Sequence, residues 1–151
     1  MAVDQQLRTS HAELRAEVEQ FYARQMRALD TGAADEWATT FTRDGVFSHQ
    51  ASEEPVRGRD AIAAGARAAA QRLADAGEQR RHLLSMLDID PRPDGTLLVR
   101  SYAQIVGTRR NTEPRLHLMC VCDDVLVREG GTLLTRERRV TRDDITPGGT
   151  A

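Results

Sequence analysis

The sequence predicts an α+β fold in which N-terminal helices pack on one face of a strongly curved, mostly antiparallel sheet that encloses one pocket. In the first half of the chain, apolar residues recur at helical spacing. From residue 82 onward, long strand patterns alternate with short turn sequences. Helices followed by a run of hairpin-connected strands are typical of an α+β architecture.

Length and composition predict a single domain. The chain has 151 residues with 40% hydrophobic content, and we expect the domain to span 10–142 with flexible termini at 1–9 and 143–151. Its 21 basic and 23 acidic residues are interspersed, so we expect neither nucleic acid nor a membrane surface as a partner. The N-terminus has no signal-peptide pattern, which predicts a cytoplasmic protein.

The first helix is predicted to begin at Ser10 and to end before Gly32. Ser10 and Glu13 have the spacing of a capping box, in which hydroxyl and carboxylate each accept a free backbone N–H. Gly32 supplies the C-terminal stop. Apolar side chains recur between them at spacings of three and four, forming one buried stripe: Leu14, Val18, Phe21, Tyr22, Met26 and Leu29.

Two further helices and a strand are predicted before the meander. A short second helix holds Trp37 and Phe41, which would close the base of the fold. Asp44-Gly45 is a turn signal ahead of a strand over 46–49. Asp60 is predicted to cap a third helix that ends at Gly77, and the many alanines of this helix permit a close approach to the sheet.

Four long strands are predicted in the second half of the chain. Proline, glycine and asparagine separate them and favour antiparallel hairpins. Cys120 and Cys122 lie two apart in one strand and share a face, where a disulfide between them would be strained. The predicted strands cover 82–90, 96–109, 115–128 and 132–142.

Several chemistries lack their residues in this sequence. Every basic residue other than histidine is arginine, so a Schiff-base lysine or a phosphate-loop lysine is excluded. The four histidines show no HExxH spacing, and CxxC pairs, GxGxxG loops and GxSxG elbows are missing. We therefore expect no metal and no cofactor, and either acid/base chemistry or no catalysis.

Local sequences along most of the chain resemble one known family. They include 29–32, 41–47 and 58–62, then Arg81-His82 and 99–102, and they extend over roughly residues 12–142. The chain resembles the SnoaL-like branch of the nuclear transport factor 2 superfamily, in which helices and a curved sheet form a cone around one deep pocket. The resemblance implies that fold more directly than any activity, because one fold hosts many functions.

The resemblance implies a cofactor-independent enzyme of polyketide-type natural-product biosynthesis. Its expected work is cyclisation, dehydration or epoxide or pyran ring chemistry on an apolar, polycyclic substrate. The second half of the chain is also similar to β subunits of aromatic-ring-hydroxylating dioxygenases, which assemble with a catalytic partner. A non-catalytic binding or assembly subunit is therefore the alternative.

Asp30 and His82 are the first candidates for catalysis. The resemblance extends to scytalone dehydratase, where an aspartate ends the first long helix and an Arg-His pair resembles Arg81-His82. It implies that His82 is the general acid/base and that Asp30 orients it or holds a water. The residues alone leave open an Asx turn at Asp30 and a backbone hydrogen bond at His82.

Other candidates lie on the strands and the helices. Tyr102 is predicted to polarise a substrate oxygen, although a buried tyrosine with a satisfied hydroxyl is the competing interpretation. Gln104 shares the sheet face of Tyr102. His117 and Met119 also share a face, which the sequence leaves open as concave or convex. The predicted substrate-binding residues are Tyr22, Trp37, Gln104, His117 and Met119.

Two further expectations concern stability and assembly. The resemblance implies that Asp124 and Arg138 pair across the last two strands and are structural. The outer face of the bent sheet is predicted to be too apolar to stay exposed, so we expect a homodimer formed mainly through 96–109 and 115–128.

Overall fold

The computed structural model describes residues 2–50 and 52–145, with side chains from residue 11 onward. Three helices and six strands follow one another along the chain. The helices are α1 (Ala2–Asp30), α2 (Ala34–Thr39) and α3 (Arg59–Ala76). The strands are β1 (Phe41–His49), β2 (Val56–Arg57), β3 (Glu78–Pro91), β4 (Leu97–Arg109), β5 (Arg115–Glu129) and β6 (Thr132–Arg142).

The six strands form one curved sheet that does not close on itself. Their order is β2-β1-β6-β5-β4-β3. Every neighbouring pair is antiparallel except β1 and β6, which run parallel. The α+β class is confirmed, since the helices lie in the first half of the chain and pack on a mostly antiparallel sheet.

Helix α1 begins earlier than its capping signal predicted. It starts at Ala2, so the predicted start at Ser10 is wrong and residues 2–9 are helical rather than an irregular lead. The alanine, glutamines, leucine and arginine in this stretch have high helix propensity and extend the helix upstream of the serine. Residues 143–145 form a turn, and the predicted tail at 146–151 lies outside the described residues.

The segment after α2 is a strand rather than a helix end and a turn. Phe41 opens β1, where its carbonyl oxygen accepts two hydrogen bonds from Arg59 at 3.0 and 2.6 Å. Asp44-Gly45 lies inside β1, at the point where its register against β6 shifts. A Cβ on Gly45 would lie 3.0 Å from the Thr42 carbonyl oxygen, so this bulge favours glycine.

Helix α3 ends as predicted but begins two residues early. Gly77 follows it in the left-handed conformation, with a φ of 62°, which confirms the predicted stop. The N-cap residue is Gly58, with a φ of 88° and no side-chain cap. Asp60 is therefore not the cap, but its charge lies in the first turn and favours the helix dipole there.

A buried ion pair joins the last two strands and confirms the predicted pairing. Arg138 donates two hydrogen bonds to Asp124, from Nε to Oδ1 at 2.9 Å and from Nη2 to Oδ2 at 2.7 Å. Their side chains are 4% and 0% exposed. Burial acts to lower the pKa of Arg138, but the Asp124 charge outweighs it and raises that pKa, so the arginine stays ionised.

Helix α1 is tied to this ion pair by two polar side chains. The Tyr22 hydroxyl donates to Asp124 Oδ2 at 2.7 Å, and Arg138 Nη2 donates to Gln25 Oε1 at 2.7 Å. The Gln25 amide nitrogen then donates to the Thr135 hydroxyl at 3.1 Å. Burial, followed by the Asp124 charge, raises the pKa of Tyr22 well above its ordinary value. The network fixes α1 against β5 and β6.

Replacing Asp124 by asparagine should destabilise the fold because it strands the Arg138 charge in the interior. We expect the Asp124→Asn variant to lose about 3–5 kcal/mol in the free energy of unfolding, measured by urea denaturation. Asp123→Asn is the matched control, since Asp123 pairs with Arg100 on the exposed face and should cost less than about 1 kcal/mol. Equal stabilities of the two variants would contradict the structural role.

Candidate active site

One cavity of about 470 Å³ lies between the concave face of the sheet, α3 and the C-terminal end of α1. On each strand the lining residues alternate with residues of the outer face, as expected for a pleated sheet. The sheet contributes Arg80, His82 and Leu84 from β3, Ala103 and Ile105 from β4, Leu118, Cys120 and Cys122 from β5, and Arg138, Val140 and Arg142 from β6.

The helices close the cavity with one aromatic side chain and several small ones. Trp37 is buried, with its ring centroid 4.9 Å from that of Phe41 and 5.9 Å from that of Phe47. On α3 the lining residues are Ile62, Gly65, Ala66, Ala68, Ala69 and Arg72. The sequence predicted that the small residues of α3 would allow a close approach to the sheet. In the structure, several of them line the cavity. The lining is therefore mostly apolar, as in small-molecule sites.

His82 and Asp30 form a hydrogen-bonded pair at the cavity. His82 Nδ1 lies 2.6 Å from Asp30 Oδ1, and the His82 backbone N–H donates to Asp30 Oδ2 at 3.1 Å. Their side chains are 20% and 8% exposed, and His82 lines the cavity while the carboxylate lies behind it. Both carboxylate oxygens are used by a residue 52 positions away. Asp30 thus serves the histidine rather than an Asx turn.

The backbone places these two side chains together. Asp30 is the last residue of α1, and its carbonyl oxygen accepts a hydrogen bond from the Gln79 side chain at 2.8 Å. His82 follows three residues later on β3, where it shares the concave face with Arg80 and Leu84. Since Nδ1 faces Asp30, Nε2 is the ring nitrogen left for a ligand.

The structure does not bring Tyr102 to His82. Since Ala103 and Ile105 line the cavity, Tyr102 and Gln104 lie on the outer face of β4, where Tyr102 is 50% exposed. Met119 pairs with Gln104 across β4 and β5, so it shares that outer face. The expectation that these three residues line the pocket is therefore wrong. Side chains alternate between the two faces of a strand, so an assignment shifted by one residue puts every side chain on the opposite face.

The remaining predicted residues divide between the cavity and other places. Trp37 lines the cavity, and its contact with a substrate stays a prediction. Tyr22 does not, because its hydroxyl is committed to Asp124 in the buried network. His117 lines a separate cleft beside Glu78 and Gly107.

Sequence reasoning did not single out Arg80 or the two cysteines as cavity residues. Arg80 precedes His82 by two residues, so the period of the strand would have placed both on one face. Cys120 and Cys122 share the concave face as free thiols. Burial raises the pKa of Cys120, and it raises the pKa of Cys122 to about 12. Protonated thiols are poor nucleophiles.

Neither a metal site nor a membrane-spanning helix is found among the described residues. Among the described residues, no group of three or more histidine, cysteine, aspartate or glutamate side chains has the arrangement of a metal site. The described helices include none with the length and apolar character needed to cross a membrane.

Residues 10–139 match the family model of the SnoaL-like domain. The chain belongs to the SnoaL-like family. No curated protein sequence matches the chain, whereas many solved structures do. The match to this family agrees with the observed fold.

Three solved structures resemble this SnoaL-like chain over most of their lengths. Aln2 from a Streptomyces species is 38% identical over 87% of this chain and 92% of its own, with a TM-score of 0.81. ActVI-ORFA from Streptomyces coelicolor is 33% identical over 90% and 99%, with a TM-score of 0.84. A protein from Catenulispora acidiphila in complex with S-DNPA is 40% identical over 88% and 96%, with a TM-score of 0.77.

The similarity to dioxygenase β subunits extends to the fold alone. A chain from Novosphingobium aromaticivorans is named as the β subunit of an aromatic-ring-hydroxylating dioxygenase. It has a TM-score of 0.71 but is only 18% identical. It covers 91% of this SnoaL-like chain, so the two share an architecture without sharing an assigned role.

The two cavity thiols should react slowly in the folded protein. Because burial raises the pKa of Cys122 to about 12 and also raises that of Cys120, both thiols are almost fully protonated at pH 8. We expect a chromogenic disulfide reagent to titrate the 2 cysteines at once in denaturant and many times more slowly without it. Equal rates in the two conditions would contradict the burial of the thiols.

Proposed function

We propose that this SnoaL-like chain is a cofactor-independent enzyme that transfers protons on an apolar, polycyclic intermediate of polyketide-type biosynthesis. The reaction class is cyclisation, dehydration or the opening or closing of an epoxide or pyran ring. The observation that carries the proposal is the His82–Asp30 pair in the wall of an apolar cavity. A histidine oriented by a carboxylate is an economical general acid/base near neutral pH.

In this mechanism His82 Nε2 accepts a proton from a substrate carbon or hydroxyl, and the bond's electron pair stays on the substrate. Asp30 holds the Nδ1 proton and stabilises the imidazolium that forms. The same imidazolium returns a proton to a leaving or carbonyl oxygen, so no external oxidant or metal enters the balance. Such positioned acid/base catalysis contributes roughly 10²–10⁴-fold to a rate.

The size of the cavity and the comparisons support a small apolar ligand. A volume of about 470 Å³ lies within the usual range of small-molecule sites. The Catenulispora relative is described in complex with S-DNPA, which makes that compound a rational first probe for this chain. Trp37 and the small residues of α3 line this volume, and an aromatic ring beside small side chains is compatible with a ligand of fused rings.

Proton transfer can be tested with S-DNPA in D₂O. The wild-type protein should convert S-DNPA or incorporate solvent deuterium into it, measured by mass spectrometry. His82→Ala and Asp30→Asn should each lower that rate by about 10²–10⁴-fold, and the double variant should be little worse than either, because the two act as a unit. Their melting temperatures should stay close to that of the wild type.

His117→Ala is the matched control for this experiment. His117 lines a separate cleft beside Glu78 and Gly107, away from the cavity of His82. The control should keep most of the rate. A wild-type protein that binds S-DNPA without converting or labelling it would favour the alternative, a binding or assembly subunit. Near-wild-type turnover by His82→Ala would show that the acid/base lies elsewhere.

The outer face of the sheet supports a homodimer as part of this proposal. Leu83, Tyr102 and Leu116 are 46%, 50% and 57% exposed on neighbouring strands β3, β4 and β5. Large exposed apolar patches commonly mark an interface, and a two-fold interface uses the same patch on both copies.

Light scattering at micromolar concentration tests the dimer. The wild-type protein should have the mass of two chains, and Tyr102→Asp should shift it to one chain by placing two unpaired charges in the interface. Ala64→Asp adds the same charge on the exposed side of α3 and should leave the mass unchanged. A wild-type monomer would contradict the proposal.

A further inference from the structure

The charges that line the cavity have a single sign. Four lining residues are arginines, Arg72, Arg80, Arg138 and Arg142, and no aspartate or glutamate among the described residues lines it. The acid/base mechanism above uses none of these guanidinium groups. Their arrangement therefore needs a separate explanation.

Two of the four arginines are neutralised within the protein. Arg138 makes its two short hydrogen bonds to the buried Asp124. Arg142 donates to both carboxylate oxygens of Asp144, at 2.9 and 2.5 Å. Bidentate pairing of this kind satisfies the planar guanidinium fork. These two side chains serve the fold, and neither has a strong need for a ligand.

Arg80 is far less completely paired. Its Nη2 lies 3.5 Å from Glu78 Oε2, a single long contact, and the side chain is 30% exposed. The Arg80 Nε atom is buried and has no hydrogen-bond partner among the described residues. A buried donor without a partner costs free energy, so the described residues leave this guanidinium incompletely satisfied, and the exposed part of the side chain is free to bind a ligand.

Arg72 reaches the cavity from the opposite wall. It follows Ala66 and Ala69 at spacings of three on α3, so it continues the side of the helix that lines the cavity. It makes no ion pair with any described residue. Arg72 on α3 and Arg80 on β3 thus bring two positive charges to the same cavity.

Arg80 also lies beside the proposed acid/base. It precedes His82 by two residues on the same face of β3, so their Cα atoms are roughly 6–7 Å apart. A ligand group held by the guanidinium would therefore lie on the same wall of the cavity as the imidazole. Tyr102 lies outside the cavity, and Arg80 is the cationic hydrogen-bond donor that β3 contributes to the cavity lining beside His82.

We propose that Arg80, assisted by Arg72, binds an oxyanion of the ligand, and that the substrate is therefore an apolar ring system carrying a carboxylate. The planar, two-oxygen geometry of a carboxylate matches the guanidinium fork. Arg80 is a specificity-determining residue that anchors the substrate next to His82. This inference rests on the proposed function and adds the charge class of the substrate.

A pair of probes of equal shape tests the anchor without requiring turnover. Naphthalene-2-carboxylate and naphthalene-2-carboxamide differ in charge, and their binding is followed through quenching of Trp37, the only tryptophan of the chain. The wild-type protein should bind the carboxylate about tenfold more tightly than the amide. Equal affinities for the two probes would overturn the inference.

Substitutions then locate the anchor. Arg80→Gln should abolish most of the preference, and Arg80→Lys should keep part of it, because it retains the charge and loses the fork. Arg72→Gln should weaken the preference less. Arg81→Gln is the matched control, since this exposed neighbour points to the other face of β3 and should leave the preference intact.

The outcomes separate this inference from the proposed function. If Arg80→Gln still prefers the carboxylate probe over the amide, the anchor is overturned. The same holds if His82→Ala abolishes this preference while Arg80→Gln keeps it. Proton transfer to S-DNPA is measured independently of probe preference, so the anchor can fail while the His82-dependent rate stands, and the reverse also holds. If Arg80→Gln fails to fold, the Arg80→Lys and Arg72→Gln variants still test the anchor. An unchanged preference for the carboxylate in both of these variants would contradict it.

Discussion

The buried pair of Arg138 and Asp124 is the constraint on which the rest of this structure depends. A charge with almost no solvent contact is tolerated only when it is paired and hydrogen-bonded on all sides. Tyr22 and Gln25 complete the shell, so α1 can dock on the sheet in one position only. An apolar contact would allow the helix to slide or rotate by small amounts, whereas these directional bonds do not.

Fixing α1 in this way also fixes the candidate site. The helix runs on from the network at Tyr22 and Gln25 to its last residue, Asp30, whose carboxylate meets the backbone N–H and ring of His82. The network and the site are thus two ends of one rigid element. A change that loosens the ion pair would move Asp30 relative to β3, so loss of stability and loss of activity need separate measurements in variants near the network.

Much of the fold could be predicted from the sequence, because period-two alternation and turn residues act locally. The limits of β6 agree with its predicted strand, and the stop of α3 at Gly77 follows from one left-handed residue. The predicted start of α1 was wrong because a capping signal inside a helix-favouring stretch competes with propensity. The helical placement of Phe41 was wrong because Phe41 pairs with the distant Thr135 of β6. His82 and Asp30 were identified through a resemblance; the faces of Tyr102 and Met119 were not, because alternation gives two faces without saying which is concave.

Asp30 itself is the point where local rules and the structure disagree. A carboxylate at the C-terminal end of a helix faces the negative end of the dipole, which costs a few tenths to about 1 kcal/mol. Its oxygens do not relieve that cost within the neighbouring turn, since both accept hydrogen bonds from His82 on a distant strand. Proteins keep such local conflicts where they hold a functional group in place. The unfavourable carboxylate lies beside the cavity, on the residue that orients His82. Among the described residues, the side chain of Asp30 makes hydrogen bonds to His82 alone.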